Sequence, residues 1–310
     1  MNMPAPVHAL GRAASPFDPG DDATYRRWRD WKLAHRPSCV DELAVDVADP
    51  RALTAAELAA LRARITRASF AVYRSKVAAE DAQLPRLLGA RLGLRRLDAN
   101  WLAGEDGVSR IAISDARDGP GGFIPYTDRA IRWHTDGYYH AGERRIRGMI
   151  LHCVRPARSG GENRVLDHEL TYIALRDIEP AHVQALMQPD AMTIPARCDE
   201  AGVARPAQGG PVFSVASDGR LHMRYTARTR SIEWKDDAAT RAAVACLERL
   251  LAGDLPGTLR VRLQAGMGLV GHNVLHERCA FEDDPGHPRL LLRARFRDRV
   301  PPAEEPWRSG

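Results

Sequence analysis

Hydrophobic and polar positions follow two regimes along this chain of 310 residues. In the first third the apolar spacing is helical. Leu58, Leu61 and Ile65 recur on one face after Thr54-Ala55-Ala56-Glu57, a capping box in which hydroxyl and carboxylate each satisfy a free backbone N–H. An apolar strand over 70–73 follows, then a second helical stretch over about 77–92. From about Ile131 strand patterns take over. The apolar run 149–154 is closed by Pro156 and Ser159-Gly160-Gly161, a strand and then a turn. Leu259, Val261 and Leu263 alternate with Arg260, Arg262 and Gln264, as a half-buried strand requires. The turn Gly266-Met267-Gly268 leads into a strand over 269–276, and residues 289–296 form the last strand. Between these strands lie a helical stretch over about 169–187 and a helix capped at Asp236 or Asp237. The latter carries Val244, Leu247 and Leu251 inward and stops at Gly253.

Composition adds bounds. The chain is 44% hydrophobic and 27% charged, enough for a sizeable core in one domain spanning 1–310. No apolar stretch approaches the roughly 20 residues of a membrane span. Residues 1–20 carry Pro4, Pro6, Pro16 and Pro19 without an apolar signal segment and predict a loose arm; residues 299–310 predict a loose tail. Cys39, Cys153, Cys198, Cys246 and Cys279 are odd in number, scattered and never spaced as a CxxC pair. That argues against a disulfide framework or zinc finger and points to the cytoplasm, with Cys153 and Cys279 as packing residues. The net charge of +5 is spread as isolated arginines, not as a basic block, which argues against a nucleic-acid partner. The expected partner is a small-molecule substrate, with no membrane and no nucleic acid; assembly as a homo-oligomer is compatible with the sequence.

The candidate chemistry lies in Trp133-His134-Thr135-Asp136-Gly137 and Leu275-His276. Two imidazoles and one carboxylate are the ligand set of a non-haem Fe(II) oxygenase, with one face of the metal left open. On a strand His134 and Asp136 share a face, and no other histidine begins a His-x-Asp or His-x-Glu. In the closing strand Leu290, Leu292, Ala294 and Phe296 share the face that packs under helices. Arg289, Leu291, Arg293, Arg295 and Arg297 share the other. A buried guanidinium is costly unless it holds an anion. Arg289 and Arg293, about 13 Å apart along a strand, are expected to serve different anions, while Arg295 and Arg297, near the chain end, suit solvent. His272, four residues before His276, is placed behind the ligands. His152 is core or pocket wall, and Tyr138 and Trp101 belong at the mouth. Ligand segments some 140 residues apart in a strand-rich region suit a mainly β fold with flanking helices. This would be a double-stranded β-helix, or jelly roll, over about 130–298 with a helical insertion over about 165–255. An α+β sandwich without a functional mouth is the alternative.

These residues resemble the taurine catabolism dioxygenase (TauD/TfdA-like) family of Fe(II)/2-oxoglutarate-dependent oxygenases over roughly residues 70–296. The resemblance rests on Trp133-His134-Thr135-Asp136, on Arg155-Pro156-Ala157 with Gly160-Gly161-Glu162-Asn163, and on Val274-Leu275-His276-Glu277-Arg278 with the arginine strand. It implies a clavaminate synthase-like jelly roll in which His134, Asp136 and His276 bind iron. It implies that Arg289 pairs with the distal carboxylate of 2-oxoglutarate, because a guanidinium takes a carboxylate through two hydrogen bonds. Arg293 would face the substrate or the near carboxylate. Asn163 stands where many members carry a threonine on 2-oxoglutarate, and Val270-Gly271 where many carry Asp-Asn. The implied activity uses Fe(II), 2-oxoglutarate and O2 to hydroxylate a C–H bond of a small anionic or zwitterionic substrate, releasing succinate and CO2. A betaine or amino-acid hydroxylase, its cation held by Tyr138 or Trp101, is the alternative within the class. A cupin-like metal-binding protein without turnover is the alternative outside it.

Overall fold

Leu290, Leu292, Ala294 and Phe296 lie in one apolar cluster with Leu61 and Ile65 of the capped helix, as their alternation requires. Leu291 faces the opposite way, into a second cluster with Val165 and Leu259. The computed structural model describes residues 15–98, 104–114, 123–199, 202–228, 232–301 and 307. In chain order the main strands are β1 (Ala44–Asp46), β2 (Phe70–Arg74), β3 (Ser109–Ile111), β4 (Ile131–His134), β5 (Gly148–Arg155), β6 (Asn163–Leu166), β7 (Leu259–Val261), β8 (Met267–His272), β9 (Leu275–Arg278) and β10 (Leu290–Phe296). One sheet has the order β1-β2-β8-β5-β10-β3 and the other β7-β6-β9-β4. Val72, Leu151, Leu269 and Leu291 of the first meet Val165, Leu259 and Val261 of the second in one core. The fold is a double-stranded β-helix, and its larger sheet begins well before residue 130. β1, β2 and β3 are short, and their partners are distant in sequence, so local patterning does not reveal their membership.

The helices are α1 (Asp22–Ala34), α2 (Ala55–Ala68), α3 (Gln83–Arg91), α4 (His168–Ile178), α5 (Pro180–Leu186) and α6 (Ala238–Ala252). The capping box of α2 forms as read, with Thr54 and Glu57 bonded reciprocally. The stretch expected to be helical from residue 77 starts only at Gln83, because the chain after β2 first prolongs its pairing with β8: the Ser75 N–H and hydroxyl both donate to the Gly266 carbonyl. The 169–187 helix is two helices. Proline has no N–H to continue the first, and the Glu179 carboxylate caps the second at the Ala181 N–H. Asp237 rather than Asp236 caps α6. The insertion also carries short antiparallel pairs, among them Arg197–Asp199 with Gly202–Arg205.

Near both ends the described residues differ from expectation. Phe17 is buried edge-on against Trp28, and the buried Arg176 donates to the carbonyls of Pro16 and Asp18, so residues 15–20 are held. Val300 is buried, Arg299 donates to the Leu221 carbonyl at 2.9 Å, and Trp307 rests on the same cluster as Phe17. Burial of these aromatic and aliphatic groups outweighs the backbone entropy that composition suggested would stay free. The strand expected over 269–276 breaks at Asn273-Val274, where the chain leaves the larger sheet at His272 and enters the smaller one at Leu275. No helix among the described residues is long and apolar enough to cross a membrane.

Candidate metal centre

β4 and β9 are neighbours, and their register sets His134 opposite His276. The two ring centroids lie 4.2 Å apart. Each ring donates Nδ1–H to the carbonyl two residues earlier, His134 to Arg132 and His276 to Val274, both at 2.9 Å. That assigns the proton to Nδ1 and leaves each Nε2 lone pair for a ligand. Asp136 completes the group: one ligand atom from each of the three residues lies within 4.8 Å of the others.

Asp136 does not owe its place to strand alternation, because β4 ends at His134. The backbone continues along the insertion, with Thr135 N–H donating to the Tyr225 carbonyl at 2.9 Å. Asn273 then accepts from the Asp136 N–H through Oδ1, and through Nδ2 donates to the Asp136 and Ile146 carbonyls, each at 2.8 Å. The Asp136 Oδ1 accepts from Arg293 Nη1 at 3.2 Å. Its Oδ2 is buried with no hydrogen-bond partner among the described residues.

The electrostatics suit a divalent cation. Burial, then the neighbouring His276, pushes the His134 pKa down to about 3, and burial lowers that of His276. Burial alone would raise the Asp136 pKa, but Arg293, Arg295 and the imidazoles outweigh it and hold the carboxyl well below its ordinary value. Two neutral imidazoles and an ionised carboxylate with one orphaned oxygen form a donor set a divalent metal satisfies without displacing protons at neutral pH.

A second feature lies nearby. Asn163 and Arg289 line one small cleft, open to solvent, with Pro156, Gly160, Gly161 and Arg262. Asn163 is two residues along β6 from Val165, which is paired with His276, so about 7 Å of strand separates it from the row of His276 and His134. Arg289 is 4% exposed, its guanidinium lies 4.9 Å from the Phe281 ring centroid, and its Nη1 is buried without a partner. Gly160 (φ +69°) lets its turn close against the Ala280 backbone, since a Cβ there would sit 2.3 Å from the Ala280 carbonyl oxygen.

The family profile "Taurine catabolism dioxygenase TauD, TfdA family" matches residues 33–295. The chain belongs to the TauD/TfdA dioxygenase family. A uridine-5'-phosphate dioxygenase from an Amycolatopsis species is 31% identical over 278 residues, covering 83% of this chain and 97% of that one. One from a Streptomyces species is 33% identical over 200 residues, covering 61% and 69%. Among solved structures, AAD-2 in complex with Mn(II) and N-oxalylglycine superposes with a TM-score of 0.58 at 12% identity, covering 84% of this chain and 97% of its own. The non-heme iron oxygenase OrfP in complex with Fe and alpha-ketoglutaric acid gives 0.56 at 18%, covering 89% and 90%. The TauD/TfdA family works with Fe(II), 2-oxoglutarate and O2, and the two curated relatives are dioxygenases, so the alternative of metal binding without turnover falls away.

The remaining expected site residues of this TauD/TfdA dioxygenase are placed as follows. Tyr138 is half-buried on the loop after Asp136, edge-on to Tyr139 with centroids 5.4 Å apart. Trp101 lies outside the described residues. Arg293 touches Asp136, and its Nε is buried without a partner. Arg295 is not solvated: it is buried, donating to Asp98 Oδ2 at 2.7 Å and to the Tyr139 hydroxyl at 3.2 Å. β3 and the Asp98 segment cover its strand, so nearness to the chain end gives no exposure. His272 does not stand behind the ligands. The break at Asn273 sends it elsewhere, where its Nε2 meets the Val300 carbonyl at 3.4 Å. His152 shares the β5 face of Ile150 and Val154, under the helices, and its Nδ1 meets the Tyr73 hydroxyl at 2.8 Å, so it is core and not pocket wall. Cys153 is buried packing as expected, whereas Cys279 is exposed. Sequence reasoning missed Asn273, Asp98 and Arg205. Asn273 and Asp98 act only through partners far away in the chain, and the sequence carried no local signal for them.

Proposed function

We propose that His134 and His276 through Nε2, and Asp136 through Oδ2, hold one Fe(II), and that Arg289 with Asn163 takes the distal carboxylate of 2-oxoglutarate. One observation carries this reading: Asp136 Oδ2 and Arg289 Nη1 are among the buried polar atoms that have no partner among the described residues. They are the two that a cation and a dianionic co-substrate would satisfy. An unsatisfied buried group costs about 1–3 kcal/mol, more when charged, so the fold carries a standing cost that ligands relieve. Fe(II), with 2-oxoglutarate and O2, supplies the oxidant that replaces a C–H hydrogen by hydroxyl as succinate and CO2 leave.

The protein residues do the rest. The Arg132 and Val274 carbonyls fix the tautomer of both imidazoles. Arg293 keeps Asp136 ionised, and its unpartnered Nε makes it the second cation available to the near carboxylate or the substrate. Leu291 and Val165 are buried beside the site and keep that part of the interior dry. Substrate enters past Tyr138 and Tyr139.

For the substrate we propose an anion of the nucleoside monophosphate class. Relatives at 31% and 33% identity are uridine-5'-phosphate dioxygenases, and a cation waits at the loop after Asp136. Arg205 lies with its guanidinium 5.8 Å from the Tyr139 centroid, donates to the Pro195 carbonyl at 2.6 Å and the Pro206 carbonyl at 3.3 Å, and has no carboxylate in ion-pair range among the described residues. Such a group recognises phosphate well.

The test begins anaerobically with Fe(II) and 2-oxoglutarate, where a weak visible absorption band should develop, and continues in air, where slow succinate formation should follow. Uridine 5'-monophosphate should accelerate succinate release, and small sulfonates, betaines and amino acids should not. Absence of both band and succinate from folded protein would remove the reading. Acceleration by an amino acid alone would remove only the substrate class.

A further inference from the structure

Asn273 is 3% exposed and occupies the two-residue gap where the chain passes from β8 in the larger sheet to β9 in the smaller. Its side chain makes three hydrogen bonds at 2.8 Å, to the Asp136 N–H, the Asp136 carbonyl and the Ile146 carbonyl. The amide orientation follows from that network, since only Oδ1 can face an N–H and only Nδ2 can face two carbonyls. Its own N–H donates to the Arg147 carbonyl at 3.0 Å. One side chain therefore closes both ends of the loop that starts after Asp136, ends at Ile146 and carries Tyr138, Tyr139 and His140. Gly137 (φ +62°) confirms how tightly the ends meet, since a Cβ there would lie 2.4 Å from the Ile146 side chain. The next residue, Val274, offers the carbonyl that orients His276.

We propose that Asn273 is a positioning residue that fixes Asp136, and with it the mouth loop, before any metal arrives. β4 stops two residues short of Asp136, so no strand ladder holds its backbone; the Asn273 amide replaces that ladder at the Asp136 N–H and carbonyl. The sheet-to-sheet crossing thus orients two of the three ligand side chains from adjacent residues, Asp136 by the Asn273 side chain and His276 by the Val274 backbone. Preorganisation of this kind lowers the ordering cost of metal binding, and outer partners of ligands are typically worth about 10–100-fold in metal affinity.

This inference rests on the metal site proposed above, and two measurements separate the two. Co(II) is titrated into metal-free wild-type protein, Asn273→Ala, and Ser69→Ala as a control. The control loses a buried hydrogen bond of 2.9 Å to Asp167, which is none of the three ligands, and keeps its carbonyl on the His272 N–H. The account expects Asn273→Ala to bind Co(II) about 10-fold or more weakly with an altered visible spectrum, and Ser69→Ala to match wild type in both. Equal affinity and spectrum in Asn273→Ala would overturn the role of Asn273 alone; no Co(II) binding by wild type would overturn both readings. The second measurement needs no variant. Hydrogen exchange of metal-free wild type, followed by mass spectrometry over residues 133–147, should show the Asp136 amide already protected about 100-fold, with little gain on adding Co(II). Protection that appears only with Co(II) would overturn preorganisation, whether or not the variant folds.

Discussion

Arg293 Nη1 sits 3.2 Å from Asp136 Oδ1, with the two side chains 10% and 5% exposed, and the carboxylate's other oxygen has no partner among the described residues. The guanidinium neutralises the carboxylate on one side and leaves the other for a cation. Breaking such a pair from one side leaves an uncompensated buried charge, at about 3–5 kcal/mol. Arg293→Leu should therefore lower the melting temperature of the metal-free protein by several degrees. Co(II) should then recover much of the loss, because the metal replaces the missing positive charge. Melting curves with and without Co(II) check this; a deficit that Co(II) leaves unchanged would mean that Arg293 stabilises something other than Asp136.

Arg289→Ala should raise the 2-oxoglutarate concentration needed for half-maximal uncoupled succinate formation by about 30-fold or more, since removing one partner of a buried charge pair costs about 2–5 kcal/mol. The rate at saturating 2-oxoglutarate should change much less. A normal requirement for 2-oxoglutarate would remove Arg289 from that role.

Arg205→Ala should raise the KM for a nucleoside monophosphate by about 10–100-fold, the range for a hydrogen bond to a charged group. Uncoupled succinate formation, which needs no substrate, should stay unchanged. Loss of both together would indicate damage to the site as a whole.

Lys32 is buried on α1, its ammonium 2.6 Å from Asp167 and also paired with Glu169 at the start of α4. For Asp167, burial works to raise the pKa, but Lys32 outweighs it and the carboxyl is held below its ordinary value. Its contribution to stability is thus present above about pH 4 and is lost as pH falls through the lowered value. For Lys32, burial works to lower the pKa and the two carboxylates raise it above the usual lysine value, so that contribution holds below about pH 10. In Lys32→Met, burial dominates at Asp167 and its pKa rises, so the variant loses stability as pH rises instead. The melting-temperature gap between wild type and Lys32→Met should widen from pH 4 to pH 7, and a constant gap would contradict the ion pair as its cause.

What the sequence revealed was local or tied to one strand. The capping box of α2 needs only Thr54 and Glu57, and the two faces of β10 follow from alternation. The convergence of His134 with His276 needed two motifs and a jelly roll to relate them. What stayed hidden depended on where the chain changes sheets. Alternation carried through 269–276 puts His272 with His276, but the crossing at Asn273-Val274 sends it to the other side. The same crossing supplies the support of Asp136 that strand periodicity was expected to give. Its late place in the chain suits Arg295 to solvent, yet Asp98, nearly two hundred residues earlier, covers it. Burial by a distant segment leaves no trace in local pattern.

The central claim is that one metal ion sits among three side chains. Crystals grown anaerobically with Fe(II) and N-oxalylglycine, measured at the iron absorption edge, test it most directly. The account predicts a single strong anomalous peak within about 2.0–2.2 Å of His134 Nε2, His276 Nε2 and Asp136 Oδ2, with the inhibitor's distal carboxylate on Arg289. A peak elsewhere, or none in protein that retains this fold, would contradict it.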